Sequence, residues 1–225
     1  KPDYTIGHSL GEYSALVASG VMSFEDGVKI VHDRGLFMNE AVPAGEGAMA
    51  AILGMQSDAL KVVTDQVTSQ GDVVQLANLN CPGQIVISGT KQGVEKASLQ
   101  AKEAGAKRAI PLVVSGPFHS ELMRPAASKL QQALNQLDMH NTDVPVISNV
   151  TASPVTSAEE MKELLVQQLY SPVRFEESIR ALMDLGVNTF IECGPGKVLS
   201  GLVKKIDRSA VIYAAYDLES IEQVI

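Results

Sequence analysis

The chain is poor in the residues that build disulfide frameworks, metal centres and aromatic binding platforms. Its 225 residues include two cysteines, four histidines and no tryptophan, and aromatic residues make up 4%. Cys81 and Cys193 stand far apart, which favours two reduced thiols in a cytosolic protein over a disulfide scaffold. The histidines lack paired ligand spacing, so we expect no metal site.

Long apolar runs and basic clusters with interleaved aromatics are also missing. No apolar run approaches the roughly 18 residues that a membrane span needs, and the net charge of −8 argues against nucleic acid as a partner. The chain has an ordinary globular composition instead, with 45% hydrophobic and 20% charged residues. It opens on Lys1 without a signal peptide, so we expect it to begin inside a longer protein.

The order of predicted elements divides the chain into two parts. Between positions 45 and 113, periodicity and turn residues predict the order βαββαβ, which is typical of a ferredoxin-like unit. Strands alternate with helices on both sides of this segment, which favours an α/β fold with a mainly parallel sheet. We therefore predict a discontinuous α/β core of residues 1–44 and 114–225, with residues 45–113 as an inserted subdomain.

A G-x-S-x-G sequence lies near the start of the chain, where a short predicted strand turns into a helix. Residues 7–11 read Gly-His-Ser-Leu-Gly, and small residues let the chain turn sharply enough to expose Ser9. The following helix supplies backbone N–H groups, and that of Leu10 is placed to bind an oxyanion. This context favours Ser9 as a nucleophile, and a structural turn serine stays open as the alternative.

A serine nucleophile needs a general base, and four histidines compete for that role. Helix geometry puts His32 on a polar arc, and His140 falls in a polar loop, so we expect both at the surface. His8 adjoins Ser9 in the chain, which makes a productive side-chain contact awkward. His119 follows a predicted strand, and strand ends are where α/β sheets place their sites. We therefore predict His119 as the base, with a structural histidine as the alternative.

Two polar residues fall on apolar helix faces. Arg34 lies within a wide apolar arc, where a guanidinium is costly unless it meets an internal carboxylate or a substrate carboxylate bound bidentately. Gln168 points along an inward stripe, and it either orients His119 or bonds a neighbouring loop. With a serine nucleophile nearby, Arg34 predicts an acyl group that carries a free carboxylate. The apolar members of the arc are Phe24, Val28, Ile30, Val31, Gly35, Phe37, Met38 and Ala41.

A glycine-rich turn at positions 194–197 precedes the last predicted helix. It lacks the spacing of either common phosphate loop, so we interpret it as a packing turn, with anion binding at the helix N-terminus as the alternative. The basic residues of this region form either a solvated face or a surface for an acidic partner. They are Lys197, Lys204, Lys205 and Arg208.

Several longer stretches occur in a characteristic order over nearly the whole chain. They are GHSLGEYSAL at 7–16, DRGLFMNEAVP at 33–43, NLNCPGQIVISG at 78–89, GPFHSELM at 116–123, QLYSPVRF at 168–175 and ECGPGKVLSGLVKKI at 192–206. Together they resemble the malonyl-CoA:acyl carrier protein transacylases of bacterial fatty-acid synthesis. The resemblance implies a hydrolase-like α/β core with a ferredoxin-like insert, in agreement with the order of predicted elements.

The resemblance also implies a ping-pong reaction and roles for particular residues. Ser9 would attack the malonyl thioester of malonyl-CoA while His119 removes its proton, and Arg34 would pair with the malonyl carboxylate. CoA would leave, and the phosphopantetheine thiol of acyl carrier protein would accept the acyl group. Gln168 matches the glutamine associated with orienting the histidine, so that no aspartate is required.

Two further positions match the family, and the remaining properties follow from it. Asn80 matches a position near the CoA channel, and Phe118 resembles the malonyl-selective form of its motif. We expect a cytoplasmic monomer that needs no cofactor, because the thioester is the substrate and the phosphopantetheine belongs to the partner. We expect neither a membrane nor a nucleic acid as a partner.

One departure from the family and two alternative functions remain. Family members begin about eighty residues earlier, with a loop that gives a second oxyanion N–H, so we expect this chain to be part of a protein and weakly active alone. A serine hydrolase, such as an esterase, would use water as the acceptor, although a plain ester needs no buried cation such as Arg34. A non-catalytic fragment would only bind carrier protein or CoA.

Overall fold

The computed structural model describes residues 1–43 and 45–224. Its first elements are β1 (Thr5–Ile6), α1 (Gly11–Ala18) and α2 (Phe24–Ala41). Ser23 caps α2, since its Oγ accepts a hydrogen bond of 3.0 Å from the N–H of Asp26.

The face that α2 buries is narrower than its apolar arc predicts. Gly27, Ile30, Arg34 and Met38 form the buried stripe at helical spacing, whereas the apolar Phe24 and Val28 are exposed. The core therefore selects one side of the arc, and that side includes the only cation of the stripe.

Residues 45–113 contain a four-stranded antiparallel sheet and two helices. The chain runs through β2 (Gly47–Leu53), α3 (Ser57–Ser69), β3 (Val74–Cys81), β4 (Gln84–Thr90), α4 (Lys91–Glu103) and β5 (Arg108–Pro111). The spatial order is β3-β4-β2-β5, and every neighbouring pair is antiparallel. Both helices pack on the sheet over one hydrophobic core, which includes Leu60, Val67, Ile87, Val94 and Ala101.

The helical stretch that follows His119 is divided into two segments. A 3₁₀ segment, Glu121–Ala126, precedes α5 (Ala127–Asn135). Pro125 explains the division, because its ring nitrogen has no hydrogen to donate to the preceding turn of an α-helix.

The rest of the chain returns to the core and adds short elements. These are β6 (Val146–Ile147), β7 (Pro154–Val155), α6 (Ala158–Gln168), α7 (Phe175–Asp184), β8 (Thr189–Cys193), α8 (Val198–Ile206), β9 (Val211–Ala215) and α9 (Leu218–Glu222). Strand β1 pairs in parallel with β6, β6 pairs antiparallel with β7, and β8 pairs in parallel with β9. The sequence analysis did not predict β7 or α9, which have two and five residues.

The predicted α/β class is confirmed, while the division into core and insert stays a prediction. Two of its limits, positions 44 and 225, lie outside the described residues. Cys81 is buried, Cys193 is exposed, and both are free thiols. Within the described ranges, no helix is both long enough and apolar enough to cross a membrane.

Candidate active site

Ser9 occupies a strained turn between β1 and α1. Its φ of +54° lies in the left-handed region, which costs a residue other than glycine of order 1–3 kcal/mol. A Cβ added to Gly7 would lie 1.9 Å from the carbonyl carbon of Gly11. The strand and the helix therefore approach too closely for any other residue at position 7.

Asn149, which follows β6, clamps this turn from the side. Its Oδ1 accepts a hydrogen bond from the N–H of Ser9 at 2.7 Å, and its Nδ2 donates to the carbonyl of Gly7 at 2.6 Å. In the described part of the chain, the N–H of Leu10 has no hydrogen-bond partner. That N–H is thus available to an oxyanion, while the N–H of Ser9 is not.

His119 lies in hydrogen-bond contact with Ser9. Its Nε2 is 2.7 Å from Ser9 Oγ, and its Nδ1 donates to the backbone carbonyl of Gln168 at 2.8 Å. A proton on Nδ1 leaves the lone pair on Nε2, so the ring can accept the hydroxyl proton. Burial, and secondly the charge of Arg34, lowers the pKa of His119 to about 3. The imidazole is therefore neutral near pH 7, as a base must be.

The other histidines point elsewhere. His32 and His140 are exposed, and the Nε2–H of His8 donates to Asn80 Oδ1 at 2.8 Å. The His8 ring also packs on Phe175, with 5.5 Å between ring centroids. Asn80 is thereby positioned next to the serine turn through His8.

Arg34 is buried, with 5% of its surface exposed, and reaches the nucleophile. Its Nη2 donates to Ser9 Oγ at 3.2 Å and to Gln168 Oε1 at 3.0 Å. The guanidinium also lies 5.5 Å from the ring centroid of Tyr13. Among the described residues, no carboxylate lies within ion-pair distance of Arg34. The contacts thus favour a ligand carboxylate over an internal one.

Gln168 contacts both His119 and the serine turn. Its backbone carbonyl holds His119, while its side chain binds the serine turn. Nε2 donates to the carbonyl of Ser9 at 3.1 Å and to Glu12 Oε2 at 2.7 Å. Through its backbone carbonyl and its side-chain amide together, Gln168 therefore links His119, the serine turn and the buried Arg34.

Phe118 lies between two hydrophobic clusters. Its side chain is partly buried and packs both against the large cluster that includes Tyr13 and Met123 and against a small cluster of Met49, Ala77 and Val86. This arrangement puts an apolar ring directly before His119.

Three polar residues of the site escaped the sequence analysis, namely Asn149, Glu12 and Gln75. Gln75, on β3, donates to the carbonyls of His119 and Tyr170, at 3.3 Å each. No periodicity distinguishes Asn149 or Gln75, whereas Glu12 had a signal: it follows Ser9 by three residues, among the buried positions of α1.

A carboxylate of the chain itself lies at the helix N-terminus that follows the glycine-rich turn at 194–197. The carboxylate of Glu192 accepts hydrogen bonds from the N–H groups of Leu199 and Ser200, at 3.0 and 2.7 Å. An internal carboxylate thus occupies the N-terminus of α8, which favours the packing-turn interpretation. Among the described residues, no group of His, Cys, Asp and Glu is arranged to hold a metal ion.

Known proteins resemble the chain along its whole length. A family model described as "Acyl transferase domain" matches residues 1–219. A curated relative from Bacillus subtilis (strain 168), "Malonyl CoA-acyl carrier protein transacylase", is 68% identical over 224 residues, which cover 100% of this chain and 71% of the relative.

Solved structures agree with this similarity. The malonyl CoA-acyl carrier protein transacylase from Coxiella burnetii superposes with a TM-score of 0.97 at 43% identity, over 100% of this chain and 71% of that one. A malonyl-transacylase in complex with a type II PKS acyl-carrier protein gives a TM-score of 0.96 at 43% identity, over 99% of this chain and 72% of that one.

Proposed function

The chain belongs to the acyl transferase domain family, among its malonyl-CoA:acyl carrier protein transacylases, and on that premise we propose how its residues carry out malonyl transfer. One observation carries the proposal: Ser9 Oγ lies 2.7 Å from His119 Nε2 and 3.2 Å from Arg34 Nη2. A nucleophile, its base and a cation therefore share one small site. A cation beside the nucleophile suits an acyl group that ends in a carboxylate.

In the first half-reaction, the malonyl group moves from CoA to Ser9. His119 Nε2 takes the proton of the Ser9 hydroxyl while Oγ attacks the thioester carbonyl carbon. The N–H of Leu10 stabilises the oxyanion of the tetrahedral intermediate. The C–S bond then breaks, and the CoA sulfur takes the proton from His119, which leaves malonyl-Ser9 and free CoA.

In the second half-reaction, the thiol of the carrier's phosphopantetheine accepts the group. It gives its proton to His119 and attacks the ester carbonyl, and Ser9 Oγ leaves with that proton. The chemistry needs a nucleophile and one proton carrier, which are side chains of this chain. We therefore propose that it uses no cofactor of its own.

Arg34 links substrate choice to the strength of the base. In the free protein its charge lowers the pKa of His119. A malonyl carboxylate on Arg34 neutralises that charge, so the pKa of His119 rises when the correct substrate binds. His119 then accepts the proton of Ser9 more readily with a carboxylated acyl group than with a neutral one.

Asn80 and Phe118 are proposed as substrate-binding residues. Asn80 and Phe118 lie beside the serine turn and next to the base, as residues that line a CoA or acyl channel would. We propose a cytoplasmic monomer, with malonyl-CoA and acyl carrier protein as its partners.

The test is an intact-mass measurement after incubation with malonyl-CoA, with Ser9→Ala as the control. We expect a single malonyl adduct that requires Ser9 and disappears on addition of acyl carrier protein that carries phosphopantetheine. Release of free malonate without transfer would indicate a hydrolase. A folded protein that forms no adduct and turns nothing over would be left only with a binding role.

A further inference from the structure

Glu12 is a buried carboxyl group for which the proposed reaction has no use. Only 4% of its surface is exposed, and it is the only buried acidic residue among those described. Burial raises its pKa to about 7, even though Gln168, Asn149 and Arg34 all favour the charged form. A group that costs this much to bury is retained for a reason, and its hydrogen bonds suggest one.

One oxygen of Glu12 receives two hydrogen bonds. Oε2 accepts from Gln168 Nε2 at 2.7 Å and from the backbone N–H of Asn149 at 3.1 Å. An oxygen that accepts at this position requires the amide of Gln168 to present its nitrogen. The amide oxygen, Oε1, must then point the other way, where it accepts from Arg34 Nη2 at 3.0 Å.

The opposite orientation of the amide is unfavourable at both ends. It would bring Gln168 Oε1 against the Glu12 oxygen and Gln168 Nε2 against the N–H groups of Arg34. Glu12, together with the carbonyl of Ser9 that also accepts from Nε2 at 3.1 Å, therefore selects one of two amide orientations, and only that one holds Nη2 of Arg34 beside Ser9.

We infer that Glu12 is a positioning residue for acyl-group selectivity, which acts through the Gln168 amide to hold Arg34 where the acyl carboxylate binds. The inference rests on the proposed malonyl transfer. It assigns the effect to the hydrogen-bond acceptor at this position and not to its charge.

Two substitutions of Glu12 separate the acceptor from the charge. Glu12→Gln keeps an acceptor oxygen at the same distance and removes the charge, whereas Glu12→Asp keeps the charge and withdraws the oxygens by one methylene. The measured quantity is the ratio of kcat/KM for malonyl-CoA to that for acetyl-CoA. The acetyl group of acetyl-CoA has no carboxylate, so it cannot pair with the Arg34 guanidinium.

We expect Glu12→Asp to lower the malonyl/acetyl ratio about 10- to 100-fold, as the loss of a buried hydrogen bond to a charged group would. Glu12→Gln should hold the ratio within about threefold of wild type, since its oxygen keeps the amide in place. The matched controls are Glu25→Asp and Glu25→Gln at the exposed start of α2, which should leave the ratio unchanged.

Gln168→Glu gives a second, independent measurement, because it puts an acceptor against the acceptor of Glu12. We expect this variant to lose selectivity and Glu12→Gln in the same chain to restore part of it, since the swapped pair again matches a donor with an acceptor. If Glu12→Asp fails to fold, the comparison of Gln168→Glu with the double variant tests the inference instead.

Several results would overturn the inference. Equal losses for malonyl-CoA and acetyl-CoA in Glu12→Asp would indicate a structural role alone, because Asn149 and the serine turn serve every acyl group. Selectivity that is retained in Glu12→Asp but lost in Glu12→Gln would assign the effect to the charge of Glu12. If Glu12→Gln restores no selectivity to the Gln168→Glu variant, Glu12 does not act through the Gln168 amide. A wild-type protein that forms no malonyl adduct would instead contradict the proposed function, whatever the variants do.

Discussion

In the proposed reaction, the single residue Arg34 sets both the substrate preference and the pH dependence of the site. It has two hydrogen bonds through Nη2, to Ser9 and Gln168, while its buried Nε has no partner among the described residues. Such a cation is only partly satisfied in the free protein. A ligand carboxylate would complete its hydrogen bonding and reduce the cost of its burial.

Arg34→Ala should abolish the preference for malonyl-CoA over acetyl-CoA. We expect kcat/KM for malonyl-CoA to fall about 10- to 100-fold, because a charge-assisted pair is lost, and kcat/KM for acetyl-CoA to fall less. Rates of acylation of Ser9 with the two thioesters measure it, with Arg180→Ala on the exposed face of α7 as the control. An unchanged preference would remove Arg34 from the acyl pocket.

The same substitution should move the acid limb of the rate profile to higher pH. Arg34 lowers the pKa of His119, so the pKa of the base rises when the positive charge is removed, and protonation inactivates it sooner as the pH falls. The profile of kcat/KM is best recorded in a Glu12→Gln background, in which Glu12 does not titrate. A limb that stays in place or moves to lower pH would contradict this electrostatic coupling.

Glu12 should make the protein less stable as the pH rises. Its pKa is raised from 4.5 to about 7 in the folded state, so between these values the folded protein keeps a proton that the unfolded chain releases. Stability is lost over this window by an amount on the order of 3 kcal/mol. The Tm of Glu12→Gln relative to wild type should therefore increase between pH 5 and pH 8.

Glu25→Gln is the control for that titration, because the side chain lies at the exposed start of α2. A Tm difference between wild type and Glu12→Gln that stays constant with pH would mean that Glu12 does not keep its proton in the folded state.

At the scale of elements, the serine turn depends on how closely β1 approaches α1. The two glycines of G-x-S-x-G are unequal there. Gly7 has no room for a Cβ, whereas a Cβ on Gly11 would meet no atom within 4 Å. Steric exclusion therefore requires glycine at position 7 of the motif, whereas a larger side chain would fit at position 11.

Gly7→Ala should destabilise the protein by about 3 kcal/mol or more, since the atoms in its way are backbone and cannot yield as a side chain does. Gly11→Ala should leave Tm unchanged or slightly raised, because alanine favours the helix that begins there. Thermal unfolding of the two variants compares them directly. Equal effects at both positions would show that the close approach is not what requires glycine.

At the scale of the whole molecule, the four-stranded sheet of residues 45–113 contacts the candidate site. Gln75 on β3 donates to the backbone carbonyls of His119 and Tyr170 and accepts from the N–H of Glu121 at 3.0 Å. The same strand bonds the segment before α7, where the N–H of Leu79 donates to the carbonyl of Val173 at 2.8 Å. The loop of His119 is thus held by a sheet that contributes neither Ser9 nor His119.

Gln75→Ala should slow acylation of Ser9 about 10-fold and lower Tm, because the loop of His119 loses its hydrogen bonds to β3. Single-turnover acylation well below the melting temperature separates the kinetic effect from unfolding. Gln92→Ala on the exposed surface of α4 is the matched control. Acylation at the wild-type rate in Gln75→Ala would mean that the insert does not position the base.

The sequence alone determined those features that local pattern encodes. Hydrophobic periodicity and turn residues predicted the α/β class and the βαββαβ order of residues 45–113, and helix geometry put Arg34 on a buried face. The glycines that flank Ser9 predicted a sharp turn that exposes its side chain. Elimination among the histidines led to His119, because His32 and His140 were expected at the surface and His8 is the chain neighbour of Ser9.

Tertiary structure alone decided which polar groups meet. Asn149 is 140 positions from Ser9 and Gln75 is 44 from His119, and no local period relates such distant residues. The strand and helix ends that bring them together are set by packing of the core, which also chose the buried side of α2 and left Phe24 outside. The role inferred for Glu12 also depends on the tertiary structure, because its effect on Arg34 passes through the amide of Gln168 on another helix.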